Sequence, residues 1–402
     1  MSRLEELIQQ YCPDGVEYKK IKEVYQRIKG TPITAGKMKE IQCPDGEIRI
    51  FAGGKTVIDA NEADIPNANI TRVPAVLVQS RGVIDAIYYD KPFTFKNEMW
   101  AYTHKEQTSV KFLYYVMKQN IQHFRDAASG MGALPQISLG TTEDFVIPVP
   151  PLPVQEEIVR ILDNFAELQA ELQAELQKRL QQYNYYRDKL LSFNELNGGG
   201  YAVSVEWISI DQLFIRRNGY TPSKSNGDFW TNGTIPWFRM EDIRENGRIL
   251  TNAIQKIHPS AVKKNGLFKS GSIIVATSAT IGEHALVLVD CLANQRFTCL
   301  TVRDEYKNRV DNMFLFYYMF KVDEWCKTHT VQGNFPGVDM SQFPSVLIPL
   351  PSIEEQKRIA TILNRFDALT TDITAGLPAE IEARRKQYEY YRDQLLTFKQ
   401  KA

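Results

Sequence analysis

Three kinds of side chain in this 402-residue sequence could do chemistry: five histidines, five cysteines, and clusters of amides, hydroxyls and cations in polar segments. His104, His123, His258, His284 and His329 stand alone, without metal-ligand spacing, and read as solvated or core residues. Cys12, Cys43, Cys291, Cys299 and Cys326 are odd in number, scattered and free of any CxxC. They read as reduced thiols of a cytoplasmic protein rather than as a disulfide framework or a zinc site. One segment imitates a nuclease metal site, Pro13-Asp14 followed by Glu17-Tyr18-Lys19. Cation-dependent strand cleavage needs two carboxylates and a lysine converging from separated strand positions. Here they crowd together beside an Asp14-Gly15 turn. The chain has no GxxxxGK[ST] loop, no GxGxxG after a strand and no HExxH. It also lacks the Asp/Asn-Pro-Pro-aromatic tetrapeptide of amino-methyltransferases. No residue is assigned a catalytic role, and no metal or cofactor site is expected.

The polar clusters point elsewhere. Gln79-Ser80-Arg81, Asn97-Glu98 and Ser129-Gly130-Met131-Gly132 lie in the first half of the chain. Thr277-Ser278-Ala279-Thr280, Asn294-Gln295-Arg296 and Gln332-Gly333-Asn334 lie in the second. Amides, hydroxyls and guanidinium groups on loops are the groups that read base edges and grip phosphates. Each is also an ordinary turn former when taken singly. The candidate DNA-binding residues are Gln79, Ser80, Arg81, Asn97, Thr277, Ser278, Thr280, Asn294, Gln295, Arg296, Gln332 and Asn334. Lys37, Lys39, Arg81, Lys224, Arg239, Lys263 and Lys264 are the cations expected against phosphates.

The clusters occupy corresponding places because the chain is an internal repeat. VEYKKIKEVY at 16–25 faces VEWISIDQLF at 205–214, and Thr31-Pro32 faces Thr221-Pro222. FLYYVM at 112–117 faces FLFYYM at 314–319. IPVPPLPVQEEIVRILDNF at 147–165 faces IPLPSIEEQKRIATILNRF at 348–366, and YRDKLLSF at 186–193 faces YRDQLLTF at 391–398. The copies agree in their last thirds and diverge in their middles. The tails therefore do one job twice, and the middles do two different jobs. Asn194 to Gly200, ending in three glycines, reads as a hinge between copies.

The elements that carry these residues follow from periodicity. AVLVQSRG at 75–82, DAIYYD at 85–90, GSIIVAT at 271–277 and ALVLVD at 285–290 read as short strands bounded by turn formers. FLYYVM and FLFYYM read as buried helical segments. In the first tail Ile158, Ile161, Leu162, Phe165, Leu168, Leu172, Leu176, Leu180, Tyr183 and Leu190 recur at spacings of three and four after Pro150, Pro151 and Pro153. The second tail repeats the stripe, with a break expected at Gly376-Leu377-Pro378. A helix of about 40 residues is roughly 60 Å long, and its apolar stripe exceeds what one small domain covers. Two such stripes in one chain can bury each other as an antiparallel coiled-coil pair; the alternative is two helices packed separately, each on its own domain. Tyr183, Tyr185, Tyr186 and Arg187, and likewise Tyr388, Tyr390, Tyr391 and Arg392, crowd both helix ends. Three tyrosines within four residues cannot all face one seam, so the surplus is expected to meet a partner.

The fold class is thus α/β (α+β), divided into a first mixed part (1–150), a helix (151–196), a second mixed part (197–350) and a second helix (351–402). Forty-eight cations balance 48 anions, and 43% of residues are hydrophobic, which excludes wholesale disorder. No apolar run approaches the ~20 residues of a membrane span, and MSRLEELIQQ is unlike a secretory signal. Residues 1–150 carry 18 cations and 18 anions, and 197–352 carry 16 and 14. Near-neutral middles fit selective recognition of a short site better than indiscriminate coating of nucleic acid.

Two dissimilar α/β middles, each followed by a near-identical helical tail, make the sequence resemble the specificity subunit of type I restriction–modification systems. The resemblance spans essentially the whole chain. Its most specific residues are IPLPSIEEQKRIATIL at 348–363, IPVPPLPVQEEIVRIL at 147–162 and the two YRD-LL-F ends; the Thr-Pro pairs and SATIG at 278–282 agree. Pro153-Val154-Gln155-Glu156 departs from the usual Glu-Glu-Gln-basic run. The resemblance implies a non-catalytic subunit whose two target recognition domains each read half of a bipartite, asymmetric double-stranded DNA site. It implies helices that hold those domains apart, with half-sites about one turn, roughly 34–36 Å, apart. It implies two methyltransferase (modification) subunits docked on the helices, carrying S-adenosylmethionine for adenine-N6 methylation. Motor-nuclease (restriction) subunits would add ATP- and Mg-dependent cleavage, with no cofactor on this chain and no membrane contact. The alternatives are a stand-alone DNA-binding protein or a coiled-coil scaffold.

Overall fold

The computed structural model describes residues 2–129, 134–193, 205–331, 336–371 and 376–401. The glycine-rich stretch at 194–200, the 130–132 cluster and Gln332, Gly333 and Asn334 lie outside the described residues. The chain forms two compact units, and these do not coincide with the two sequence repeats. One unit is Met1–Ala174 together with Ala379–Ala402; the other is Glu175–Pro378.

In the first unit a four-stranded sheet has the order Gln26–Ile28, Trp100–Thr103, Ala75–Gln79, Asp85–Tyr89. The strand Ala75–Gln79 is buried on both faces. Because side chains alternate along a strand, Val76 and Val78 enter one core, with Phe112, Leu113 and Val116 of the helix Gln107–Gln119. Ala75 and Leu77 enter another, with Phe93 and Phe95. The second unit repeats the device in a five-stranded sheet ordered Phe214–Asn218, Phe297–Val302, Ile273–Ala276, His284–Val287, Ile249–Leu250. Ile273 and Val275 face the helix Asn312–Thr328 through Phe314, Leu315 and Met319, while Ile274 and Ala276 face Phe238 and Phe297. The four strands and two helices expected from sequence are therefore present. That second helix is also fastened to its sheet by a buried polar pair, His284 Nδ1 to Asp323 Oδ2 at 2.6 Å.

The first tail is one 39-residue helix, Leu152–Leu190. Pro150-Pro151 ends the preceding strand Val146–Val149, and the carbonyl of Pro150 accepts from Gln155 Nε2 at 2.7 Å. The second tail uses the same device, Gln356 Nε2 to Pro351 O at 2.9 Å. Its described parts are the helices Ile353–Thr371 and Leu377–Leu395, the second of which starts within Gly376-Leu377-Pro378.

Both tails contribute to each unit. In the first, Phe165 of the long helix lies 5.6 Å from the stacked ring of Tyr391 and 6.3 Å from Tyr388. In the second, Phe366 stacks on Tyr186 at 5.7 Å and meets Tyr183 at 6.4 Å. The tails meet one another in both units, the first of the two arrangements the apolar stripes allowed. The last residues close the first unit: Val16 N donates to Lys399 O and Lys401 N to Val16 O, both at 2.9 Å, while Leu396 is buried in the same core as Val16 and Ile147. Among the described residues no helix is long and apolar enough to cross a membrane.

Candidate nucleic-acid interface

Each sheet brings its polar loops to one end by strand pairing. In the first unit Val78 pairs with Trp100 in antiparallel register, so the segment after Gln79 and the segment before Trp100 emerge side by side. In the second, Ala276 pairs with Phe297 and does the same for Thr277–Thr280 and Asn294–Arg296. A third segment joins them. Arg81 and Ser129 both bridge to Gln136, and Ser278 bridges to Gly337. In the first unit Gln79–Arg81, Asn97-Glu98 and Ser129 thus converge on one sheet end, and in the second Thr277–Thr280 and Asn294–Arg296 do the same.

Burial sorts the candidates. Gln79 and Ser80 are turned inward. Gln79 Nε2 donates to Gly54 O at 3.0 Å, and the Ser80 hydroxyl donates to Glu98 O. Both side chains are buried and bonded to loop carbonyls, where the sequence reading set them facing DNA. Glu98 also turns to structure: burial opposes its ionisation, but Lys96 at 3.0 Å and the Gly53 amide at 3.2 Å outweigh that and hold its carboxyl below the usual range. Arg81 and Asn97 remain exposed. Asn97 lines a cavity of about 450 Å³ with Gln136 and Ser138. Lys37 and Lys39 lie on the short helix Ala35–Ile41, away from that cavity; Lys37 pairs with Glu40 at 2.8 Å.

The second unit gathers more of its candidates. Lys224, Arg239, Asn294, Gln295 and Arg296 all line one open cavity of about 720 Å³. Trp230 and Trp237, which sequence reasoning passed over, form its aromatic wall in an edge-to-face pair at 5.1 Å. Thr277 is half-buried, its amide bonded to Arg296 O at 2.9 Å and its hydroxyl to Thr298 at 3.0 Å. Ser278 and Thr280 are half-buried beside it. Lys263 covers the Tyr220 ring at 4.4 Å, and Lys264 is exposed.

Two glycines set the loop positions, and the repeat alignment was the signal that could have found them. A Cβ on Gly30 would stand 2.0 Å from Phe95 O, and one on Gly219 would stand 2.1 Å from Asn294 O. Each precedes a Thr-Pro pair, and each lets one chain segment pass directly against the loop it supports. Gly219→Ala is therefore expected to displace the 294–296 loop. Recognition by the second unit should fall at least tenfold while the first unit is unaffected; half-site methylation assays check this.

The tyrosine clusters have the same geometry twice. Tyr183 is 6% exposed and Tyr388 is half-buried, while Tyr186 and Tyr391 stack on Phe366 and Phe165. Tyr185 and Tyr390 are left 60% and 62% exposed, each edge-on to its neighbour. Arg187 lies over Phe320 at 4.5 Å and Arg392 over Tyr388 at 5.8 Å. Burial pushes the Tyr183 hydroxyl up to about 12, so it stays neutral. The nuclease-like segment is an ordinary strand start: Glu17 pairs with Lys19 at 2.5 Å, and Gly15 makes the turn. Among the described residues, no three His, Cys, Asp or Glu side chains are grouped to hold a metal ion.

Residues 13–182 and 203–383 match the model of the type I restriction modification DNA specificity domain. Over 206 residues, half of this chain and 51% of the other, the sequence is 54% identical to the type I restriction enzyme EcoprrI specificity subunit of Escherichia coli. This chain thus spans about half the length of that relative. Over 309 residues it is 36% identical to the EcoR124I/EcoR124II specificity subunit of Escherichia coli, covering 73% of this chain and 72% of that one. The fold is similar to the crystal structure of a type I restriction–modification system S subunit from M. genitalium, with a TM-score of 0.53 at 15% identity over 95% of both chains. A second solved structure, from work on assembly and conformational transition of the type I R-M system, has a TM-score of 0.57 at 15% identity, covering 95% and 97% of the two chains.

Proposed function

The chain belongs to the type I restriction–modification DNA specificity family, and on that premise we propose that it is the non-catalytic subunit selecting the DNA sequence on which partner subunits act. The first mixed part (1–150) reads one half of a bipartite site and the second (197–350) reads the other. The helical parts (151–196 and 351–402) set the interval and carry two methyltransferase subunits. Motor-nuclease subunits join that assembly in the cytoplasm. S-adenosylmethionine, ATP and Mg belong to those partners.

One observation carries this reading: the same sheet end is built twice, from the same strand pairings, and furnished with different side chains. Arg81 and Asn97 stand where the other copy has Ser278 and Gln295. A shared scaffold with unlike readers suits an asymmetric site. The outward Tyr185 and Tyr390 repeat identically instead, which suits two copies of one partner.

Replacing residues 1–150 by the corresponding part of a relative, and sequencing the methylated sites of cells carrying the hybrid, tests the assignment. One half-site should change completely and the other not at all. Both changing, or neither, would refute the division of labour.

A further inference from the structure

We infer that Arg239 and Arg296 select a guanine in the half-site read by the second unit, which rests on the reading above and adds a base identity to it. Lys224, Arg239 and Arg296 face the cavity of about 720 Å³, and Glu241 is the sole carboxylate in its lining. Arg296 has no carboxylate partner among the described residues, and Glu241 Oε2 is 3.9 Å from Arg239 Nε, beyond hydrogen-bond reach. Two of the amide oxygens are engaged. Asn294 Oδ1 takes the Arg296 amide at 3.0 Å, and Gln295 Oε1 takes the Thr221 hydroxyl, so these side chains leave their NH₂ groups free. Both indole N–H groups are turned away, Trp230 to Ser223 O at 3.0 Å and Trp237 to Tyr220 O at 2.9 Å. The cavity thus sets three cations and two amide NH₂ groups beside an apolar aromatic wall, with Glu241 as its one carboxylate.

Such a set of donors selects an acceptor-only edge. In the major groove guanine presents two acceptors side by side, O6 and N7. Adenine and cytosine each place a donor there, and thymine offers one acceptor next to a methyl group. A guanidinium fork matches the guanine pair in one plane. Arg239 is prepared for that role: its guanidinium lies 5.7 Å from the Trp237 ring centre, and its Nε is buried with no hydrogen-bond partner. At that distance the ring face attracts the guanidinium and helps to hold it at the cavity wall. Arg296 is held at its backbone instead, by Thr277 N to Arg296 O at 2.9 Å and by the Asn294 turn. Arg239, expected from sequence against phosphate, is thus set in the cavity beside the amides.

A backbone phosphate is the other source of a planar acceptor pair, and lysine tells the two apart. Lysine keeps the charge that grips phosphate but loses the fork that reads guanine. The experiment is R239K and R296K in the full chain, assembled with its methyltransferase subunits, with methylated sites sequenced genome-wide. R296K alters an exposed loop tip and stands as the variant that leaves the fold intact. The expected result is relaxation at one G·C pair of one half-site, with discrimination there falling roughly 5- to 100-fold, and an unchanged other half-site. An unchanged consensus methylated as well as before, or uniformly less well, would overturn the assignment in favour of phosphate contact. So would a wild-type half-site for the second unit that contains no guanine on either strand. If the wild-type assembly methylates no bipartite site at all, the underlying functional reading fails instead.

Discussion

A chain ending at Leu395 is expected to lose its first unit and keep its second. The deletion removes Leu396, 3% exposed in the first unit's core, and two backbone hydrogen bonds to Val16. It also removes the Phe398 carbonyl that accepts from the Tyr18 hydroxyl at 2.9 Å. Burial of a leucine contributes about 2–3 kcal/mol and each hydrogen bond about 1. A loss of about 5 kcal/mol approaches the whole stability of a typical domain. Hydrogen exchange should show amides of the strands 75–79 and 100–103 exchanging at least a hundredfold faster, with 273–276 and 297–302 unaltered. Protection retained in the first pair of strands would mean that the closing contact is decorative. Gly15→Ala probes the same seam: Gly15 has a φ of +104°, and a Cβ there would lie 2.4 Å from Lys399 O.

The second large effect concerns the interval between half-sites. Removing seven residues from the helix Leu152–Leu190 and seven from the second tail keeps the apolar stripes nearly in phase. It shortens each rod by about 10 Å, the length of about three base pairs at 3.4 Å each. Methylation at the original interval should fall at least a hundredfold, and sites with a gap shorter by about three base pairs should replace it. The half-sites themselves should stay unchanged, because Arg81, Asn97, Arg239 and Arg296 lie outside the deleted segments. Methylome sequencing that returned new half-sites at the old interval would remove the rods from any measuring role.

The division between what sequence discloses and what it conceals is physical. Periodicity discloses faces, so the stripe from Ile158 to Leu190 was legible, as were the turn-bounded strand Ala75–Gln79 and the surplus of tyrosines at both helix ends. Self-comparison also paired Gln79–Arg81 with Thr277–Thr280 and Asn97-Glu98 with Asn294–Arg296, which the two sheets repeat. It could not show which partner each stripe covers. Phe165 would have been equally satisfied by a ring of its own tail, and meets Tyr391 of the other. Nor could it separate Ser80 from Arg81, since the group that captures the Ser80 hydroxyl is a backbone carbonyl 18 residues away. Trp230 and Trp237 were silent for a similar reason: an aromatic residue near a turn reads as core until its N–H partners are known.

Because Ala379–Ala402 completes a body begun by Met1–Ala174, the body begun first is the last to be fully encoded. At ~5–20 residues per second, a ribosome needs on the order of 10–40 s to bring the missing piece out after the first 174 residues have emerged. The Glu175–Pro378 body is encoded in full before the last piece of the earlier one. For that interval the apolar side chains that Leu395 and Leu396 cover lack those partners, and chaperone occupancy should be higher on nascent fragments than on the released full chain.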